Sequence, residues 1–153
     1  MDEIKVINKF LTKLAYDKSS LDLKDDVFFN KKNNLVISTD TYVEGVHFID
    51  FKKPKLVIKK ILRSSISDLF CKGVKPKYYF ISAAGNKLLF KKNILKKITN
   101  SLKEEQRKYN IILAGGDTVY SKKITITITS VGFAKKIIYR KKSLINDDIY
   151  VSG

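Results

Sequence analysis

Several acidic residues of this chain could together bind a metal ion. The carboxylates are Asp25, Asp26, Asp40, Asp68 and Asp117, and Ser38 and Thr39 add hydroxyl oxygens next to Asp40. Asp40 and Asp117 follow short apolar runs typical of strands, and strand ends in layered α/β folds meet at one edge, where ligands commonly bind. Taken singly, each carboxylate is more typical of a solvated surface. Together they suit Mg²⁺ bound jointly with substrate phosphates.

Glycines precede the last of these carboxylates. Gly115-Gly116 would let a phosphate approach the backbone closely, because no Cβ intrudes. The sequence has no GxxxxGK[ST], GxGxxG, HRD or DFG motif, so the common nucleotide-binding folds are unsupported. With one histidine, His47, and one cysteine, Cys71, there is no zinc cluster and no intramolecular disulfide. We expect Cys71 to be a small buried residue.

Periodic apolar residues predict the elements that position these groups. Helices are expected over about residues 2–16, from Pro54 toward Gly73 as C′ residue, and over a segment marked by Ile94 to Tyr109. Strands are expected at Leu35–Ile37, Tyr78–Ala84, Ile111–Leu113, Lys123–Phe133 and Ile149–Val151. Asp68 would lie near the inner side of the second helix, where a buried carboxylate requires a compensating partner. This order of elements predicts an α/β fold with a mixed sheet.

Composition favours one globular domain in the cytoplasm. The 153 residues are 44% hydrophobic and contain no Gly/Ser-rich linker. There is no apolar run long enough to cross a membrane, and the N-terminus lacks the layout of a secretory signal. We therefore expect residues 1–153 to form a single cytoplasmic domain.

The net charge of +16 favours phosphate-bearing partners, which include nucleic acids. Only three of the 31 basic residues are arginines, however, and arginine is preferred for base readout. The lysines are scattered along the chain rather than gathered into one basic arm. Solvated faces are the better interpretation, and we expect no nucleic-acid or membrane partner.

One segment is recognisable. Ser38-Thr39-Asp40-Thr41-Tyr42-Val43-Glu44-Gly45-Val46-His47-Phe48 resembles the STDxxVEGVHF signature of thiamine-monophosphate kinases, in the superfamily of aminoimidazole ribonucleotide synthetase. Ser67-Asp68-Leu69 with Gly73 and Pro76 resembles the SDLxxxGxxP motif of that family. Gly115-Gly116-Asp117-Thr118, and Arg140 followed by Asp147 to Gly153, are similar to its later motifs. The resemblance spans about residues 4 to 153.

The resemblance implies a fold, an activity and roles for individual residues. Magnesium ligands would be Asp26, Ser38, Thr39, Asp40, Asp68 and Asp117; Gly116, Asp117 and Arg140 would contact ATP, and His47 would contact thiamine phosphate. The implied reaction is Mg-assisted phosphoryl transfer from ATP to thiamine monophosphate, giving thiamine diphosphate. An arginine fork and metal-bound carboxylates suit two anionic reactants, because this chemistry depends on positioning and charge neutralisation.

The family also implies a dimer and a second domain. The expected fold is that of the aminoimidazole ribonucleotide synthetase N-terminal domain, with about four strands and helices on one face. The alternating Ile124 to Ile128 stripe gives a physical reason for a homodimer, because an apolar sheet face left in water would be an exposed patch; pairing through a sheet edge is the alternative. Family members have a further C-terminal domain, which would make this chain inactive alone. Where the family usually has Gly-x-Gly, this chain has Asp22-Leu23-Lys24.

Two other functions stay open at the level of sequence. A different branch of the superfamily, such as selenophosphate synthetase, shares the scattered aspartates but not the VEGVHF continuation. A basic nucleic-acid-binding domain would instead bind any duplex in a salt-sensitive manner.

Overall fold

A five-stranded mixed sheet with two long helices on one face forms the framework of the chain. The computed structural model describes residues 2–140 and 144–148. The strands are β1 (Phe28–Asn30), β2 (Leu35–Val43), β3 (Pro76–Gly85), β4 (Ile112–Tyr120) and β5 (Thr125–Phe133). The long helices are α2 (Pro54–Cys71) and α3 (Lys92–Tyr109), and short helical segments precede β1. The predicted α/β class is confirmed, with one strand more than expected.

The strands lie in the order β1-β2-β5-β3-β4. β3 and β4 are parallel, and every other neighbouring pair is antiparallel. β5 therefore sits at the centre, between β2 and β3, while β4 is an edge strand whose nine residues are all exposed. Parallel β3 and β4 require a crossover, and α3 provides it.

The central strand alternates between two faces of the sheet, as the sequence predicts. Ile124, Ile126 and Ile128 are almost fully buried in the core with α2 and α3, and the threonines between them point to the other face. The expectation that these isoleucines form a free dimerisation face is therefore wrong. Their apolar stripe is covered by the helices of the same chain.

Helix α2 ends where the sequence predicts. Gly73 has φ of 72°, and the Gly73 and Val74 N–H groups donate to the carbonyls of Phe70 and Leu69. A left-handed glycine at C′ closes the last turn in this way. Cys71 lies on the exposed side of this turn, so its predicted burial is wrong. The inner positions of the turn are taken by Leu69 and Val74.

The N-terminal helix is present but irregular. Helix α1 covers only Glu3–Val6, and a π-helical turn (Ile7–Leu11) and a 3₁₀ turn (Thr12–Leu14) continue it. The apolar face that predicted this helix is not packed into the core, because Phe10, Leu11 and Leu14 are exposed. Periodicity located this helical segment, although its α-helical part is only one turn long.

None of the helices in the described part of the chain is long and apolar enough to cross a membrane. The strand predicted at Ile149–Val151 lies outside the described residues.

Candidate active site

Asp40 and Asp68 approach each other across the interface between β2 and α2. Val36, Ser38, Asp40 and Tyr42 alternate on the helix side of β2, and polar side chains occupy the middle of this series. Ser38 Oγ donates to Asp68 Oδ2 at 2.8 Å, which supplies the partner that Asp68 was predicted to need. Tyr42 Oη donates to Asp40 Oδ2 at 3.3 Å. Asp40 lies in the middle of β2 and not at its end, because the strand continues to Val43.

The environment of these two carboxylates opposes their ionisation. Burial, followed by the charge of Asp68, raises the pKa of Asp40. Burial also raises the pKa of Asp68, and the negative charge of Asp26 raises it further. The hydrogen bond from Ser38 acts in the opposite direction and lowers this pKa. Two half-buried carboxylates that repel each other are typical of a site that gains stability from a bound cation.

The Asp25-Asp26 pair is already in contact with cationic side chains. Lys72 Nζ lies 2.5 Å from Asp25 Oδ1, and both side chains are about 95% buried, with exposed fractions of 5% and 6%. Burial opposes ionisation of Asp25, but the Lys72 ammonium and the Arg140 backbone N–H hold its pKa below the ordinary value. Arg140 Nη1 donates to Asp26 Oδ1 at 2.9 Å.

An open cleft of about 760 Å³ collects most of these groups. Its polar lining includes Lys24, Asp25, Asp26, Thr39, Asp40, Asp68 and Arg140, and Glu3, Ile4, Ile7 and Asn8 of the N-terminal segment form another wall. The structure thus brings together Asp26, Thr39, Asp40, Asp68 and Arg140, as the sequence predicts, with Ser38 directly behind Asp68.

His47 lies apart from this lining and is held by its own loop. The Val43 N–H donates to His47 Nδ1 at 3.0 Å, so the exposed ring can offer an Nε2–H to a ligand. The ring packs edge-on against Tyr42, with centroids 5.7 Å apart. Because Tyr42 also contacts Asp40, it links His47 to the carboxylate cluster.

Gly116 and Asp117 are not brought to the cleft within one chain. Asp40 pairs with Ile128, Ile128 with Ile81, and Ile81 with Gly116, so three interstrand steps separate β2 from β4. This corresponds to about 14 Å at the usual strand spacing. Asp117 lies in the next row, with Ser82 and Thr127, on the face opposite the helices.

Gly116 also has a packing reason to be glycine. A Cβ at this position would come within 1.8 Å of the Ile81 carbonyl oxygen, and the residue has φ of 154°. The close approach of backbone that the sequence predicted is present, but its partner within this chain is the neighbouring strand. The roles of Gly116 and Asp117 toward ATP and metal stay predictions.

The donor set of the cleft fits magnesium. No group of three His, Cys, Asp or Glu side chains within residues 2–140 and 144–148 is arranged to hold a metal ion by itself. Mg²⁺ commonly binds through one or two carboxylates and fills its octahedral shell with water and substrate phosphates. Asp40 and Asp68, with hydroxyl oxygens beside them, provide that kind of partial shell.

Lys72 and Tyr42 are site residues that sequence reasoning missed. A lysine at the end of a helix is ordinarily a solvated cation near the negative end of the helix dipole, so nothing in the sequence signals its burial against Asp25. Tyr42 could have been noticed, because period-two alternation places it on the same face as Asp40.

Comparisons with known proteins identify the family of this chain. Residues 23–134 match the family described as AIR synthase related protein, N-terminal domain. The chain belongs to this family, and its mixed sheet and flanking helices are the fold of that domain.

The more closely related sequences point to one branch. Thiamine-monophosphate kinase of Haemophilus influenzae is 34% identical over 160 residues, covering 100% of this chain and 48% of the relative. The enzyme of Buchnera aphidicola from Acyrthosiphon pisum is 39% identical over 126 residues, covering 80% and 38%. This chain spans about half the length of the curated relatives that it matches.

Solved structures share the fold at lower identity. AaThiL complexed with AMPPCP and TMP superposes with a TM-score of 0.80 at 23% identity, covering 94% of this chain and 47% of that one. Thiamine monophosphate kinase from Aquifex aeolicus gives a TM-score of 0.73 at 23% identity, covering 90% and 46%. A HypE-HypF complex gives 0.64 at 19% identity, covering 86% and 43%, so the fold extends beyond the thiamine kinases.

Proposed function

We propose that this chain is the ATP- and magnesium-binding N-terminal domain of a thiamine-phosphate kinase, which transfers the γ-phosphoryl group of ATP to thiamine monophosphate. The observation that carries the proposal is the convergence of Asp40, Asp68 and Asp26 with Arg140 in one open cleft. The relatives named thiamine-monophosphate kinase, and a fold neighbour that holds AMPPCP and TMP, support the choice of branch.

The charge of each residue in the cleft would determine what it binds. Asp40 and Asp68 would hold Mg²⁺ with Asp26, and the Ser38 hydroxyl would keep the Asp68 carboxylate oriented through its 2.8 Å hydrogen bond. When bound, the metal would neutralise charge on the transferred phosphoryl group. Arg140 contacts Asp26 through one arm of its guanidinium, and its exposed side chain could instead bind a nucleotide phosphate.

His47 would contact the acceptor substrate. Its Nδ1 accepts a backbone hydrogen bond, so the neutral ring has a fixed orientation and one free donor, Nε2–H. A donor of this kind suits a phosphate oxygen of thiamine monophosphate. Tyr42 would fix the position of His47 relative to the metal ligand Asp40, because it contacts both residues.

A second copy and a second domain belong to the same proposal. The face of the sheet opposite the helices carries exposed Thr39 and Thr41 together with Phe80, Phe133 and Asp117. Such a face suits a homodimer better than the buried isoleucine stripe does. It would also allow Gly116 and Asp117 to serve a site that another copy or domain completes.

The experiment that tests the proposal is nucleotide binding by calorimetry. The purified chain is titrated with ATP with and without MgCl₂, and binding is expected only with magnesium. Asp40→Asn should weaken binding at least about tenfold, because a lost charge-assisted contact to metal is worth about 1.4 kcal/mol or more. Asp50→Asn is the matched control, since Asp50 is a partly exposed aspartate paired with Lys52 outside the cleft.

Three results would contradict the proposal in different ways. Equal ATP binding by wild type and Asp40→Asn would remove the metal assignment. Salt-sensitive binding of a random DNA duplex, without magnesium-dependent ATP binding, would favour a nucleic-acid-binding domain. Failure of thiamine phosphate to accept phosphate from ATP, in a form extended by the second domain, would point to another branch of the superfamily.

A further inference from the structure

The acidic cluster of the cleft contains a lysine that is almost fully buried. Lys72 follows the last residue of α2, and its side chain is 5% exposed. A buried ammonium is costly unless it is paired, and Asp25 Oδ1 pairs with it at 2.5 Å. Lys72 Nζ also lies 3.9 Å from Asp26 Oδ2, so its charge acts on a candidate metal ligand as well.

We propose that Lys72 acts as a fixed cation that neutralises Asp25 and competes with the divalent ion for Asp26, and thereby sets the magnesium affinity of the site. This inference rests on the proposed function, because it takes Asp26, Asp40 and Asp68 as the magnesium site. The role is one of positioning and charge. Lys72 touches no substrate and takes no part in phosphoryl transfer.

The surroundings of Asp25 support competition in addition to simple tethering. Asp25 also accepts a hydrogen bond from the Arg140 backbone N–H, and Arg140 Nη1 donates to Asp26, so the Asp25-Asp26 segment has other anchors besides Lys72. Asp26 remains half-exposed on the cleft side, where it accepts from Arg140. Removing Lys72 would therefore leave the loop anchored while it takes one positive charge away from the metal position.

The two roles predict effects of different sign. If Lys72 competes with the metal, Lys72→Met should tighten Mg²⁺ binding, whereas Asp25→Asn should weaken it, because the ammonium then interacts only with Asp26. If Lys72 merely tethers the loop, both substitutions should weaken Mg²⁺ binding alike. The sign for Lys72→Met decides between the two roles.

The test is calorimetric titration of the 153-residue chain with MgCl₂ alone, with no nucleotide present. Lys72→Met should bind Mg²⁺ about tenfold more tightly than wild type, because one positive charge is lost within a few ångströms of the site. Lys72→Arg keeps the charge and should stay within about twofold of wild type. Lys59→Met is the matched control, because Lys59 also lies on α2 and pairs with Glu104 at 2.7 Å, away from the cleft.

A double variant keeps the test valid if Lys72→Met unfolds the chain by leaving Asp25 buried and unpaired. In Asp25→Asn/Lys72→Met both charges are gone, and replacing a whole buried ion pair is commonly tolerated. It should bind Mg²⁺ about tenfold more tightly than Asp25→Asn alone.

The outcomes separate this inference from the proposed function. Absence of Mg²⁺ binding in every variant contradicts the role of Lys72, and it contradicts the proposed function as well only if ATP binding in the presence of MgCl₂ is also absent. A wild-type chain that binds Mg²⁺ with an affinity that Lys72→Met lowers or leaves unchanged contradicts only the role of Lys72. The same holds if the double variant and Asp25→Asn bind equally.

Discussion

Three consecutive residues beside the cleft adopt a backbone conformation that favours glycine. Leu21, Asp22 and Leu23 have φ of 53°, 55° and 55°. The family resemblance implies Gly-x-Gly where this chain has Asp22-Leu23-Lys24, so Asp22 occupies the position of the first glycine. Leu21, Asp22 and Leu23 adopt the left-handed conformation although their side chains oppose it, and the strain is local to these residues.

Replacing Asp22 with glycine should therefore stabilise the fold. The side chain is exposed and the backbone gains freedom from strain, so we expect the free energy of unfolding to rise by about 0.5–1 kcal/mol. Urea denaturation measures this free energy of unfolding. Lys24→Gly is the control, because Lys24 has φ of −105° and gains no relief. An Asp22→Gly variant that loses as much stability as Lys24→Gly would show that the strain has no energetic weight.

A second residue carries an unpaired polar atom in the core. Tyr79 is fully buried, and within the described residues its hydroxyl has no hydrogen-bond partner. Burial raises the pKa of Tyr79 to about 12. Tyr79→Phe should stabilise the chain by about 1 kcal/mol in urea denaturation, because it removes the desolvation penalty and keeps the ring.

Tyr78→Phe is the matched control for this substitution. Tyr78 is only half-buried and packs edge-on against Phe133. The free energy of unfolding of the Tyr78→Phe variant should therefore differ from wild type by less than about 0.5 kcal/mol. If Tyr79→Phe were destabilising, the Tyr79 hydroxyl would have to form a favourable contact.

The elements themselves were largely predictable, because their signals are local. Periodicity and end signals located α2, α3 and most of the strands, including the alternation of β5. Strand length was underestimated where polar residues continue a strand: β2 runs through Asp40, and β4 runs through Gly115-Gly116-Asp117. The short apolar runs predicted that both strands end before the aspartates, whereas the pairing partners on β5 and β3 keep these segments extended.

The arrangement of elements was less predictable than their existence. Which face of β5 is covered depends on where α2 and α3 pack, and the residue spacing along the sequence does not predict this. The burial of Lys72 has the same origin, because the residue's own helix turn looks like an ordinary exposed end. Resemblance to a family supplied residues such as Asp26 and Arg140 that spacing alone left open.

The two long helices are joined by an ion pair that should make stability depend on pH. Arg63 donates from Nε and Nη2 to the two oxygens of buried Glu105 at 2.7 and 2.8 Å. These hydrogen bonds hold the pKa of Glu105 below its ordinary value of 4.5, against the effect of burial. A carboxylate with a lowered folded-state pKa contributes stability that is complete above the unfolded value and is lost as the pH falls through the folded value.

Comparing wild type with Glu105→Gln across pH tests this link. At pH 7 the variant should lose about 1–2 kcal/mol, a modest value because Arg63 is partly exposed to water. The difference between the two proteins should stay constant down to about pH 5 and shrink below 4.5. Glu104→Gln should change little at any pH, because Glu104 pairs with Lys55 and Lys59 at the surface, where water screens the charges. A pH-independent difference for Glu105→Gln would contradict the linkage.

At the scale of the whole molecule, the cleft contains only some of the groups that the proposed reaction requires. The candidate metal ligands Asp26, Asp40 and Asp68 line it together with Arg140. Gly116 and Asp117 lie about three interstrand steps away on an exposed edge strand. The face of the sheet that carries Asp117 is open to a partner. Under the proposed function, we therefore expect the site to be built from more than one unit.

The 153-residue chain alone should therefore fold and bind ATP weakly, but should not form thiamine diphosphate at a useful rate. It spans about half the length of its relatives, and under the proposed function a second domain would supply further substrate contacts. Precise alignment of two reactants lowers a barrier by roughly 7–11 kcal/mol, and losing the groups that hold one reactant forfeits much of that gain. The measurement is thiamine diphosphate formed from ATP, MgCl₂ and thiamine phosphate by this chain, compared with a form extended by a second domain. Nucleotide binding by both and turnover by the longer form alone is the expected result, whereas equal turnover would make this chain a self-sufficient kinase.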